Sequence, residues 1–274
     1  DGLLQGDYRT LFYGGGLDFA DLREYQIEDD IRHIDWNVTA RMNELHVRQY
    51  VDERDITAWF LVDLSPSMAF GPEERLKQSV LTDLAATLAR LLTRTGNRVG
   101  ALIFNNDSIR TIPPRTGRNQ VLRLIRELLR EVDAPGKSIT DLSLLMNAGL
   151  NTIKRRSLVF VISDFISLPD WAKPMSALNR RNELVAIRMW DQREVELPDA
   201  GLIVVEDSET GEQLQVDTGN PEFRRRFTEA ANRREAALDG QLKKAGVDLY
   251  SVSTEQDLVH SILQMAALRK KRRR

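Results

Sequence analysis

Two short apolar runs dominate the pattern of the chain, residues 56–62 and residues 158–162. Runs of this length, rich in β-branched and aromatic residues, predict central strands covered on both faces. Helical spacing follows the first run. Leu76, Val80, Leu84, Leu88 and Leu91 mark one face of a helix that Pro72-Glu73-Glu74 opens and Gly96 closes. Residues 98–104 predict a second strand and 108–112 a short third one, joined through Asn105-Asn106-Asp107 as a hairpin. Helix 117–132 turns Val121, Leu124, Ile125, Leu128 and Leu129 inward, and a loop over 133–140 leads to helix 141–154. Beyond the second run come helix 171–181, strand 183–189, a hairpin over 202–216 turning at Glu209-Thr210-Gly211, helix 221–245, strand 247–252 and helix 255–268. This alternation predicts an α/β fold with a mostly parallel sheet and helices on both faces.

Residues 1–55 break that rhythm. They are acidic, hold Gly14-Gly15-Gly16 early, and alternate only over 44–51, which predicts one half-buried strand. With too few apolar residues for a core, they are expected to pack on the main domain, residues 56–268, as an irregular segment. Trp36 and Ile34 are the expected anchors. The basic run 269–274 is expected to be a solvated, disordered tail.

Composition narrows the function classes. Against 39 basic residues stand 41 acidic ones, so no global charge favours nucleic acid or membrane surfaces. No cysteine is present, which removes disulfides, thiolate zinc sites and thiol catalysis. No window of 18 apolar residues predicts a membrane span. The chain starts at Asp1 without a methionine, as a trimmed chain or a fragment would. Its expected location is the cytoplasm. Arg224-Arg225-Arg226 and Arg233-Arg234 interleave with Glu222, Glu229 and Glu235, as on a solvated helix face.

The chemistry gathers where the first buried run ends, at Asp63-Leu64-Ser65-Pro66-Ser67. A carboxylate and two hydroxyls at alternate positions offer oxygen ligands to a hard cation. The same serines could instead shape a turn or cap a helix. Asp164 stands just past the second buried run, and Thr140 precedes a helix, where Thr140 or Asp141 could serve as a cap. If the two strands are neighbours, Asp63, Ser65, Ser67, Thr140 and Asp164 meet at one sheet edge. Two carboxylates and three hydroxyls suit Mg²⁺ or Mn²⁺, with water or a partner's carboxylate completing the octahedron. The competing class is a phosphatase-like hydrolase with Asp63 as nucleophile, but Ser65 stands where the general acid would be. His33, His46 and His260 lie outside these loops, there is no Gly-x-Ser-x-Gly elbow, and the glycine triplet lacks the Lys-Ser/Thr of a phosphate loop.

Asp63-x-Ser65-x-Ser67 followed by Thr140 and Asp164 resembles the metal-ion-dependent adhesion site of von Willebrand factor A domains. Upstream, Leu22-Arg23-Glu24-Tyr25-Gln26, Asp29 to Trp36, Ala40-Arg41, Val47-Arg48 and Glu53-Arg54 are similar to the signature of the bacterial domain of unknown function 58, with Glu28 standing in place of the usual glycine. The resemblance implies a von Willebrand factor A-like, Rossmann-like fold without catalytic activity, and a metal-dependent protein-interaction role. It further implies a MoxR-type AAA+ ATPase as partner, in assembly or maturation of other proteins.

Overall fold

The computed structural model describes residues 21–26, 29, 31, 34–42, 44–49, 56–72, 75–106, 108–130 and 139–272. The glycine triplet, Glu28, Asp30, Arg32, His33, Glu73-Glu74, Asp107, the 133–138 part of the predicted loop, and Arg273-Arg274 lie outside the described residues. The chain divides into two compact units, 1–55 with 263–274, and 56–262.

In the first unit, β1 (Asp21–Glu24) pairs antiparallel with β2 (His46–Gln49). A short helix, α1 (Trp36–Met42), stands between them where only irregular chain was expected. Asp35 explains it, because its Oδ1 accepts the N–H groups of Asn37 and Val38 and so caps the first turn. Val47 and His46 are buried, whereas Trp36 is 64% exposed.

The second unit is built on a six-stranded sheet. Its strands are β3 (Thr57–Asp63), β4 (Arg98–Phe104), β5 (Ile109–Arg115), β6 (Leu158–Ser163), β7 (Glu183–Trp190) and β10 (Asp248–Ser253), in the order β10-β7-β6-β3-β4-β5. All pairs are parallel except β4 with β5. This is the mostly parallel α/β sheet the alternation predicted. β5 runs three residues beyond expectation, through Pro113 and Pro114. An edge strand tolerates proline because one side of it needs no ladder donor.

Strand alternation sends Trp59 and Leu61 to one face, where they join Leu142, Leu145 and Met146 of α4 (Leu142–Thr152) and Met175 and Leu178 of α5 (Ala172–Arg181) in one core. α6 (Pro221–Ala245) adds Leu238 and Leu242 to it. Phe60 and Phe160 point to the opposite face and stack at 5.1 Å. On the β4 side lie α2 (Lys77–Arg94) and α3 (Arg118–Leu128), whose Gln120 donates to the Val99 and Pro113 carbonyls. A fully buried Phe60 alone removes enough apolar surface for roughly 2–3 kcal/mol.

Three helix boundaries differ from expectation. α2 starts at Lys77, not Pro72. A 3₁₀ turn, Pro66–Ala69, and Gly71 at φ 134 intervene, and Lys77 N–H donates to the Phe70 carbonyl. α3 ends four residues early at Leu128. The closing helix, α7 (Leu258–Arg272), takes in residues 269–272 of the basic run, and Arg269 is buried within it. Lys and Arg are strong helix formers, so a run of them extends a helix that is already nucleated. The hairpin of β8 (Leu202–Glu206) and β9 (Gln213–Asp217) forms its own two-stranded sheet. On α6, Arg225 and Arg226 pair with Glu222 and Glu229 at exposed i,i+3 and i,i+4 positions, the solvated face expected.

Candidate metal centre

The chain leaves β3 for β4 and β5 on one side of the sheet, then returns to β6, β7 and β10 on the other. The order therefore reverses between β3 and β6, and the loops at their carboxyl ends diverge. Such a switch point is where open α/β sheets hold ligands. Asp63 ends β3, and Asp164 follows the last residue of β6.

Asp63 is fully buried and held by two donors. Its Oδ1 accepts the Ser65 N–H at 2.9 Å, and its Oδ2 accepts the Ser163 hydroxyl at 2.6 Å. The 3₁₀ turn folds Ser67 back until its hydroxyl lies 3.2 Å from that of Ser65. Neither hydroxyl caps a helix, because the 3₁₀ turn and α2 both lack a side-chain cap. Burial pushes the Asp63 carboxyl up to about 6, and the charge of Asp164 pushes the same way. The bonds from Ser163 and Ser65 pull it part of the way back.

Asp164 sits on a strained loop. Phe165, the next residue, has φ 59, a left-handed conformation that bulky side chains avoid. It is held there by burial, by its ring contact with Trp171 at 5.4 Å, and by its N–H donating to Ser163 Oγ. Asp164 Oδ1 accepts the Ile166 N–H, and Oδ2 lies 2.7 Å from Lys77 Nζ. The same ammonium reaches Glu194 Oε1 at 2.6 Å. Lys77 is 0% exposed, so this is a buried, bridged cation at the start of α2.

Thr140 is tied to the Asp164 loop through its carbonyl, which accepts from Ser167 Oγ and from the Leu168 N–H, both at 3.0 Å. Capping of α4 falls to Asp141, whose Oδ1 accepts the Ser143 N–H. The Thr140 hydroxyl is thus spared. It is fully buried and has no partner among the described residues. The Thr140 N–H donates to Glu209 Oε2 at 2.9 Å, and the other Glu209 oxygen is shielded with no partner.

The structure thus joins Asp63, Ser65 and Ser67 by direct contact, brings Asp164 within Coulombic reach of Asp63, and ties Thr140 to the loop carrying Asp164. Among the described residues no group of three or more His, Cys, Asp or Glu could hold a metal, so a cation here would rest on hydroxyls as well as carboxylates. That donor chemistry fits Mg²⁺ or Mn²⁺. Four contributors escaped the sequence reading. Lys77 had a signal, a lysine on the apolar stripe of Leu81, Leu84 and Leu88. Ser163, Glu194 and Glu209 had none, since their contacts span 69 to 117 residues. His46 lies in β2, with Nδ1 2.9 Å from the Glu44 carbonyl, and His260 in α7.

The family described as "Protein of unknown function DUF58" matches residues 21–237. Uncharacterized proteins of Mycobacterium tuberculosis (strain H37Rv) and Mycobacterium bovis are each 35% identical over 273 residues, 99% of this chain and 85% of each relative. The crystal structure of the conserved hypothetical protein BatB from Bacteroides thetaiotaomicron is similar at TM-score 0.47 and 13% identity, over 79% of this chain and 99% of that one.

Proposed function

The chain belongs to the DUF58 family, and from that premise we propose that it is a metal-dependent protein-interaction module with no catalytic activity of its own. Asp63, Ser65, Ser67, Thr140 and Asp164 would hold Mg²⁺ or Mn²⁺, and the cation would neutralise buried carboxylate charge and offer a coordination position to an acidic side chain. The chain's own groups do the positioning. Ser163 and the Ser65 N–H fix both oxygens of Asp63, while Lys77 and the Ile166 N–H fix those of Asp164. The observation that carries the reading is the Thr140 hydroxyl, fully buried and without a partner among the described residues, in a segment bonded to the loop that carries Asp164. Buried polar atoms normally find partners, and an orphan at such a place is explained by a ligand.

The protein partner is one that presents an acidic side chain, and the family resemblance points to a MoxR-type AAA+ ATPase, with the chain as its adaptor in assembling or maturing other proteins. No helix among the described residues is long and apolar enough to cross a membrane. The test is capture of a purified MoxR-type ATPase from the same host by the immobilised chain. Capture that is lost in EDTA and in Thr140→Ala supports the reading. Capture indifferent to both overturns the metal-dependent role.

A further inference from the structure

Arg188 is a charged residue on a strand face that is otherwise apolar. Leu184, Ala186 and Arg188 share one face of β7, and the first two join the core with Leu238 and Leu242 of α6. Arg188 is 6% exposed, and a guanidinium taken out of water needs partners for its five N–H donors. Glu235 Oε1 accepts from Nη1 at 2.6 Å, whereas Nε is buried and has no partner among the described residues. Arg188 also lines a cavity of about 210 Å³, together with Arg234, Glu235, Asp164, Trp171 and Leu238. Both acids of that cavity are already met, Asp164 by Lys77 at 2.7 Å and Glu235 by Arg188. Arg234 is not. It is exposed, reaches the Glu194 carbonyl only at 3.5 Å, and pairs with no carboxylate among the described residues.

We infer that this cavity is an oxyanion site, in which one carboxylate or phosphate group is held by the guanidinium groups of Arg188 and Arg234. Such a group supplies the acceptor that Arg188 lacks and the negative charge that Arg234 lacks. Planar guanidinium donors match carboxylate and phosphate oxygens alike, through charge-assisted hydrogen bonds. The volume limits the ligand. At about 210 Å³ the cavity falls below the roughly 300–1,000 Å³ of drug-sized sites, so it suits a small free anion. Trp171, which is 2% exposed, and Leu238 give it apolar walls, and a charged hydrogen bond gains strength where water is kept away. The inference needs no bound cation, since Lys77 already covers Asp164.

The test is calorimetric titration of inorganic phosphate, and separately of acetate, into the metal-free protein at constant ionic strength in chloride. Arg234→Gln removes one guanidinium from an exposed position, so its loss spares the core. Arg188→Lys keeps the buried charge but loses the planar fork. Arg233→Gln, an exposed neighbour outside the cavity, controls for net charge. Wild type and Arg233→Gln are expected to show one saturable site of equal affinity. Arg234→Gln and Arg188→Lys should each bind at least about tenfold more weakly, as loss of one charge-assisted hydrogen bond predicts. Phosphate heat without acetate heat assigns the site to phosphates, the reverse assigns it to carboxylates, and both together assign it to either oxyanion. Heats from neither anion above those of chloride would overturn the inference. So would equal weakening in Arg233→Gln and Arg234→Gln, a comparison that stands even where Arg188→Lys fails to fold.

Discussion

Replacing Asp63 with Asn in the metal-free protein should stabilise the fold at neutral pH, although it removes the central residue of the proposed site. The carboxyl is raised from 3.8 to about 6, chiefly by burial and then by Asp164. A folded-state value above the unfolded one means that the native state holds the proton more tightly. Stability from this group is therefore fully present below about pH 4 and is lost as pH rises through 6. About two units correspond to roughly 3 kcal/mol at 1.36 kcal/mol per unit. Asn is neutral at every pH and so escapes that loss, although its amide can match only one of the two donors, Ser65 N–H and Ser163 Oγ. The net gain expected at pH 8 is therefore about 1–3 kcal/mol, shrinking to nothing or reversing at pH 4. Urea unfolding of both proteins in EDTA across pH 4–8 measures the difference directly. Saturating Mg²⁺ should then restore wild type, by roughly 2.7 kcal/mol at a hundredfold excess over Kd, and leave Asp63→Asn unmoved. A difference independent of pH, or an Asn variant less stable than wild type at pH 8, would refute the reasoning.

Thr140→Ala deletes a hydroxyl that bonds nothing among the described residues, so metal-free stability should change by less than about 1 kcal/mol in urea unfolding while Mn²⁺ affinity falls. Lys77→Met strands Asp164 and Glu194 without their shared cation and should cost on the order of 3–5 kcal/mol by the same assay. Assayed with a generic phosphate ester and Mg²⁺, Mn²⁺ or no metal, the protein should show no turnover above that of Asp63→Asn. Turnover that this variant abolishes would revive the hydrolase alternative.

How far the sequence carried this account depends on the range of each interaction. Buried strands announce themselves locally, and both apolar runs became neighbouring central strands, paired Ala58 with Leu158 through Val62 with Ile162. The β8–β9 hairpin was equally plain from its Glu209-Thr210-Gly211 turn. Helix starts were less so. Pro72-Glu73-Glu74 has the composition of a first turn, but the backbone from Ser65 to Gly71 is committed to a 3₁₀ turn and a left-handed glycine, and the helix waits for Lys77. At the site, the Asp-x-Ser-x-Ser spacing was legible because it is local. What completes it was not. Lys77 bridges Asp164 and Glu194 across 87 and 117 residues, and Glu209 meets Thr140 across 69. Such pairings depend on where loops converge, which only the strand order fixes.

The central claim is that Asp63, Ser65, Ser67, Thr140 and Asp164 form one cation site. Titration calorimetry of Mn²⁺ into wild type and Asp63→Ala tests it most directly. A single saturable site in wild type that is absent from Asp63→Ala is the result predicted, and identical heats in the two proteins would contradict it.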